Sequence, residues 1–360
     1  MSQLRDIDEY LRMAVENGGS DLHISVDAPP AARIHGTLVP LEEFTLTPEA
    51  TRTLLMSTLT ETQRAKLETD WELDYAIEIA GLGRFRSNIH YARNHLEGAF
   101  RHIPPEVPEL SNLGHSHTVE RLCQLRRGLV LVTGITGSGK TTTLAAMVKR
   151  IAETRSGVII TIEDPVEFVL PHRSCLIKQR ELGKDTKTFS IALRQALRQD
   201  PDVIVVSELR DLETIRIALT AAETGHLVLA TLHTIDAPQT IDRLVDVFPP
   251  DQQQQITAQL SSVLEGIVCQ RLLPKADGSG RILASEVLTV NYGMRACIRD
   301  KKIEQLVGLM EIGSKEGMHT IDDSLELLLR QGVISLDEAL FQCRDRMRFK
   351  PYFPREPKVK

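Results

Sequence analysis

The run Gly134-Ile135-Thr136-Gly137-Ser138-Gly139-Lys140-Thr141 follows a short apolar stretch and precedes a helical pattern. It fits G-x-x-x-x-G-K-[ST], and a strand before it with a helix after it is the context that pattern requires. Glycines let the backbone turn tightly so that successive N–H groups face one concavity, and the start of a helix adds positive potential there. The chemistry is capture of a nucleoside triphosphate, ATP or GTP. Gly134, Thr136, Gly137, Ser138, Gly139 and Thr142 form the phosphate cradle. Lys140 pairs β- and γ-phosphate oxygens, and the Thr141 hydroxyl holds Mg²⁺.

Two further apolar runs end in acids: Thr161-Ile162-Glu163-Asp164-Pro165-Val166-Glu167 and Val205-Val206-Ser207-Glu208-Leu209-Arg210-Asp211. Parallel α/β sheets bind ligands beyond the carboxyl ends of their strands. One carboxylate there can hold the metal, partly through water, and a second can orient the attacking water as general base. Glu208 takes the first task and Glu163 the second. His226 and His233 bracket another apolar run, Leu227-Val228-Leu229-Ala230-Thr231-Leu232. A histidine at a strand's carboxyl end can donate to a γ-phosphate or respond to its loss. It can equally be a satisfied structural group, and the pattern alone leaves both readings open.

These residues need parallel strands separated by helices. Nearly all-apolar runs at 129–133, 158–162, 203–206 and 227–232 supply the strands, and patterns such as Ile215, Ala218, Leu219 and Ala222 supply the helices. Strands apolar on both faces imply a parallel sheet covered on each side. Asp211 is a candidate N-cap for the helix that Gly225 ends. Before this half, residues 1–100 mix short helices and strands: a helix from Ile7, strands near 21–25 and 32–34, a helix over 48–67, and strands over 71–79 and 84–90. That order predicts a small α+β domain. Pro104, Pro105 and Pro108 mark a linker, since proline stiffens the chain and cannot continue a helix. The expected organisation is a domain at 1–102, a linker at 103–116, a nucleotide-binding core at 117–290, helices at 291–349 and a disordered tail at 350–360.

The chain has 360 residues, with 43 basic and 49 acidic side chains and a net charge of −6. Apolar residues at 42% exclude wholesale disorder, and aromatics at 4%, with Trp71 the one tryptophan, argue against a stacking surface for single strands. The acidic balance argues against a nucleic-acid partner. No run reaches the roughly 18–20 apolar residues that span a bilayer, so no membrane insertion is expected. Acids near the start are unlike a signal peptide, which places the protein in a cytosol. Five widely spaced cysteines and the lack of H-E-x-x-H argue against a disulfide framework or a protein-bound zinc.

The motifs, in this order, resemble the secretion ATPase superfamily and, within it, the type IV pilus retraction ATPases, over nearly the whole chain. Besides those above, the similarity takes in Ser20-Asp21-Leu22-His23, Gly83-Arg84-Phe85-Arg86, Gln179-Arg180-Glu181, Asp200-Pro201-Asp202-Val203, Arg210-Asp211-Leu212-Glu213-Thr214-Ile215 and Thr240-Ile241-Asp242-Arg243. The resemblance implies a PAS-like N-terminal domain before a RecA-like motor domain, with ATP between them, in a homohexamer. It implies Glu163 as catalytic glutamate, Glu208 as the Walker B glutamate, and His226 and His233 as the His-box residues. Arg86 and Arg101, with Arg84 beside them, fall where the family places phosphate-neutralising arginines. An inner-membrane pilus platform protein is the implied partner at the pilus base, and a second retraction ATPase a further one.

Two positions depart from the family pattern. Walker B usually has glycine before its glutamate, and Ser207 stands there. A serine restricts φ next to the metal site, which suggests a modestly altered turnover. The C-terminal motif usually reads Ala-Ile-Arg-Asn-Leu-Ile-Arg-Glu and here reads Gly293-Met294-Arg295-Ala296-Cys297-Ile298-Arg299-Asp300. Rival readings are a pilus assembly or type II secretion ATPase and a hydrolysis-poor accessory subunit of a retraction motor. A four-cysteine zinc element, usual in the assembly branch, does not fit five scattered cysteines.

Overall fold

The computed structural model describes residues 4–34 and 36–353. The chain forms two compact units. One runs to Glu106 and takes in Pro165–Val169; the other holds Val107–Asp164 and the chain from Leu170 onward.

In the first unit, helix α1 (Ile7–Glu16) precedes strands β1 (Gly19–Ile24), β2 (Ala31–Ile34) and β3 (Thr37–Pro40). Helices α2 (Pro48–Ser57) and α3 (Glu61–Asp70) follow, then β4 (Glu72–Ile79), β5 (Gly83–Ala92) and β6 (His95–Ile103). The strands make one antiparallel sheet in the order β3-β2-β1-β6-β5-β4. Tyr10, Leu11, Leu54, Leu55 and Leu67 of the helices close a core with Leu22, Ile24, Phe85, Ile89 and Phe100 of the sheet. The helix predicted over 48–67 is two helices. The Thr60 hydroxyl accepts from the Gln63 N–H while Gln63 Oε1 accepts from the Thr60 N–H. This reciprocal cap satisfies two donors and starts a new helix. Trp71, expected to open a strand, instead ends α3 in the left-handed region at φ 63°.

The second unit contains α4 (His117–Cys123), β7 (Gly128–Thr133), α5 (Lys140–Thr154), β8 (Gly157–Glu163), β9 (Cys175–Glu181), α6 (Phe189–Ala196), β10 (Val203–Val206), α7 (Leu212–Glu223) and β11 (Leu227–Leu232). After these come α8 (Ala237–Asp246), α9 (Pro250–Val263), β12 (Leu264–Pro274), β13 (Arg281–Thr289), α10 (Tyr292–Arg299), α11 (Leu306–Ile312), α12 (Ile321–Arg330) and α13 (Leu336–Gln342). The sheet order is β13-β12-β7-β11-β10-β8-β9, parallel except for β13. Every residue of β7, β10 and β11 is buried. Leu129, Leu131, Ile204, Val206, Val228 and Ala230 share one core with α6 to α9, while Val130, Val132, Val205 and Leu229 are buried on the other face. The predicted doubly covered parallel sheet is thus present, and its strands lead their loops to one edge.

The proline-rich segment divides at Glu106. Beyond it Val107 and Leu110 are buried, and Lys149 Nζ donates to the Val107 carbonyl (3.0 Å) and pairs with Glu109 (2.5 Å). At the other end, the disorder expected from residue 350 does not begin there. A 3₁₀ helix spans Arg346–Tyr352, Phe349 is buried, and the Tyr352 hydroxyl donates to Glu326 at 2.9 Å. Residues 354–360 of that expectation lie outside the described residues. Among the described residues no helix is long and apolar enough to cross a membrane.

Candidate functional site

Strand β7 brings the chain to the carboxyl edge of the parallel sheet, and the glycines do the turning. Gly134 has φ 143°, and a Cβ there would lie 2.3 Å from the Gln270 carbonyl oxygen and 2.5 Å from Ser138 Oγ, so only glycine fits. Gly137 and Gly139 are left-handed at φ 80° and 89°. Gly139 precedes α5, so its first N–H groups and the helix dipole face the cradle. Thr136 is exposed, Ser138 is buried, and Thr141 and Thr142 stand half-buried in the first turn. Lys140 is buried and donates to the Gly134 carbonyl (2.7 Å) and the Ile135 carbonyl (3.0 Å). Burial lowers its pKa from the usual lysine range, opposed by the Glu208 carboxylate.

A chain of charged groups crosses this edge in the order of the strands. His233, after β11, places Nδ1 3.5 Å from Lys140 Nζ and Nε2 3.2 Å from Glu208 Oε1. The tautomer protonated on Nε2 satisfies both contacts. Glu208, after β10, accepts from Arg210 Nε at 2.8 Å, and Arg210 Nη1 lies 3.5 Å from Asp164 Oδ2, after β8. Glu163, the last residue of β8, accepts from Thr161 Oγ1 (2.5 Å) and Gln179 Nε2 (3.0 Å), so its carboxylate is aimed from two sides. A buried cation in a glycine loop, a hydroxyl in the first helical turn and two strand-end carboxylates fit Mg²⁺-nucleotide, which brings most of the metal's ligands itself.

His226 is not brought to this edge. Leu227 pairs with Gly128 at the amino ends of β11 and β7, so His226 lies a strand length, roughly 17 Å, from the phosphate loop. Its Nδ1 is 2.9 Å from the Ala221 carbonyl, in the last turn of α7. The sequence expectation is corrected here: within one subunit His226 finishes a helix. The arginines lie in the first unit. Arg86 and Arg101 are register partners across β5 and β6; Arg86 pairs with Glu167 at 3.5 Å and Arg101 with Asp21 at 2.8 Å. Arg84 faces Glu78 across β4 and β5.

The departures from the family pattern have structural answers. Ser207 is not among the residues with positive φ, so glycine's freedom is not needed there and the φ restriction costs nothing. Arg295 caps the end of α9, donating to the Ser261 (2.9 Å) and Ser262 (2.8 Å) carbonyls and to Glu265 (2.8 Å). Retaining that arginine preserves the helix junction whatever Ala296 and Cys297 change.

Sequence reasoning missed Arg210 and Gln270. Gln270 on β12 is 2% exposed and donates Nε2 to the Ser138 carbonyl at 2.7 Å, bracing the phosphate loop from below. Losing one such buried bond costs about 1–1.5 kcal/mol. Gln270→Ala is therefore expected to weaken ATP binding about tenfold in a nucleotide titration; an unchanged Kd would remove the bracing role.

Fold and site together define a P-loop nucleotide hydrolase of RecA-like architecture. The chain belongs to the Type II/IV secretion system protein family, whose match covers residues 106–340. It is 43% identical over 334 residues to the type IV pilus retraction ATPase PilT of Pseudomonas aeruginosa, covering 93% of this chain and 97% of that protein. It is 40% identical over 335 residues to the type IV pilus ATPase PilU of the same organism, covering 93% of this chain and 88% of that protein. The crystal structure of the pilus retraction motor PilT with bound ADP matches with a TM-score of 0.89 at 47% identity, over 96% of this chain and 99% of that one. The resemblance to pilus retraction ATPases read from the motifs is borne out.

Proposed function

We propose that this chain is an ATP-hydrolysing motor that powers type IV pilus retraction, and so twitching motility, by driving pilin disassembly. The observation that carries the reading is the unbroken chain from Lys140 through His233, Glu208 and Arg210 to Asp164, beside the aimed carboxylate of Glu163. It supports hydrolysis at the loop, and likeness to PilT over nearly the full length supports retraction as the output.

The residues act as follows. The loop N–H groups of Gly134 to Thr142 cradle phosphate oxygens, and Lys140 exchanges its loop carbonyls for β- and γ-oxygens. Glu163 orients a water and takes its proton. Glu208 and Thr141 would hold Mg²⁺, which when bound would neutralise phosphate charge. His233, between Lys140 and Glu208, responds to loss of the γ-phosphate. Arg86 and Arg101 take the phosphate-neutralising role that the family resemblance implies for them.

The working form is a homohexamer on the cytoplasmic side of the inner membrane at the pilus base. It acts on a membrane platform protein, with a PilU-type ATPase as second partner. Deleting the gene in its own organism is expected to give hyperpiliated, non-twitching cells, restored by the wild-type gene and not by Glu163→Gln. Loss of pili would point instead to assembly.

A further inference from the structure

The second unit buries the Glu286 carboxylate at the junction of its core and its C-terminal helices. Glu286 on β13 has 0% exposure and lies opposite Cys269 of β12. Its Oε1 accepts from the N–H of Ala237, the first residue of α8, at 2.9 Å. Its Oε2 accepts from the N–H of Ile321, the first residue of α12, at 3.3 Å, and lies 3.4 Å from Arg344 Nη2. The first N–H groups of a helix have no partner inside it and carry the positive end of its dipole. One carboxylate therefore fastens the starts of two helices. Arg344 Nη2 is also 3.4 Å from Asp236 Oδ2, and Asp236 is the N-cap of α8. The backbone N–H groups of Arg344 and Asp345 donate to Asp322 of α12 at 2.8 and 2.9 Å.

The helix start held this way adjoins the nucleotide site. Only His233-Thr234-Ile235-Asp236 separates β11 from α8. Four residues span at most about 14 Å, and this loop has little slack. Thr234 Oγ1 is 2.7 Å from Thr240 Oγ1, which in turn donates to the Asp236 carbonyl at 2.7 Å. A shift of the first turn of α8 must therefore move the loop carrying His233, whose ring meets both Lys140 and Glu208.

We propose that Glu286 is a positioning residue for the nucleotide site: by fixing the start of α8 it sets where His233 meets Lys140 and Glu208, and through α12 and Arg344 it ties the C-terminal helices to that same loop. The proposal rests on the role of His233 given above. An amide in place of the carboxylate keeps the volume but turns one acceptor into a donor facing a helix N–H, so it cannot serve both helices.

The test is steady-state phosphate release by the full-length protein over a range of ATP concentrations. It compares wild type, Glu286→Gln, His233→Ala and the double variant. Glu286→Gln is expected to lower kcat about tenfold with KM within about threefold. The double variant is expected to turn over within about twofold of His233→Ala, because both changes act through one group. Arg344→Gln, a milder change on the more open side of the network, is expected to lower kcat about threefold and to lose that effect in the His233→Ala background. It keeps the test decisive if Glu286→Gln fails to fold. Multiplying effects in the double variants, or wild-type kcat for a folded Glu286→Gln, would overturn the proposal alone. Wild-type kcat for His233→Ala would overturn the His233 reading and the proposal with it.

Discussion

Glu163→Gln should lower the rate of ATP hydrolysis by about a hundred- to ten-thousandfold, the range expected when a general base is removed. The substitution keeps the shape of the side chain, and its remaining oxygen can still accept from Thr161 Oγ1 and Gln179 Nε2. What it loses is the ability to take a proton from water. The phosphate loop and Lys140 are untouched, so the Kd for ATP should stay within about threefold. Phosphate release and nucleotide titration on the same preparation separate the two effects. A fall of less than tenfold would mean that another group serves as base.

Lys140→Ala should instead act on binding. Each charge-assisted hydrogen bond from the ammonium to a phosphate is worth about 1.5–3 kcal/mol. Losing two of them predicts a Kd for ATP raised a hundredfold or more. The change also takes the donor from the Gly134 and Ile135 carbonyls and the cation from the His233–Glu208 pair. Titration with a fluorescent ATP analogue reads the loss directly. A Kd within fivefold of wild type would show that the backbone cradle binds phosphate without the lysine. Read together, the two variants divide the site into a group that holds nucleotide and a group that breaks it down.

The phosphate loop was legible because its chemistry is local: turn, cation and helix start lie within a few residues. Glu163 and Glu208 were legible because a strand's carboxyl end in a parallel sheet is a defined place. Contacts between distant segments were not. Gln270 lies 132 positions from Ser138, and nothing in the sequence marks β12 as a neighbour of β7. Strands β12 and β13 themselves escaped notice because Gln270, Arg271 and Glu286 interrupt their apolar runs. The turn signal Asp277-Gly278-Ser279-Gly280 between them was available. His226 and His233 bracket one strand symmetrically in sequence, yet a strand has two ends and only the one carrying His233 adjoins the phosphate loop. Ser207 departs from the family's glycine at a position whose φ is not positive, a fact of backbone geometry that the sequence does not carry.

The most direct measurement is phosphate release by the purified wild-type protein with Mg²⁺ and saturating ATP, alongside Glu163→Gln. The account predicts sustained turnover over many cycles by the wild type and near-background release by the variant. A wild type that binds ATP yet releases phosphate no faster than Glu163→Gln would contradict it, and would make this chain a nucleotide-binding accessory to another motor.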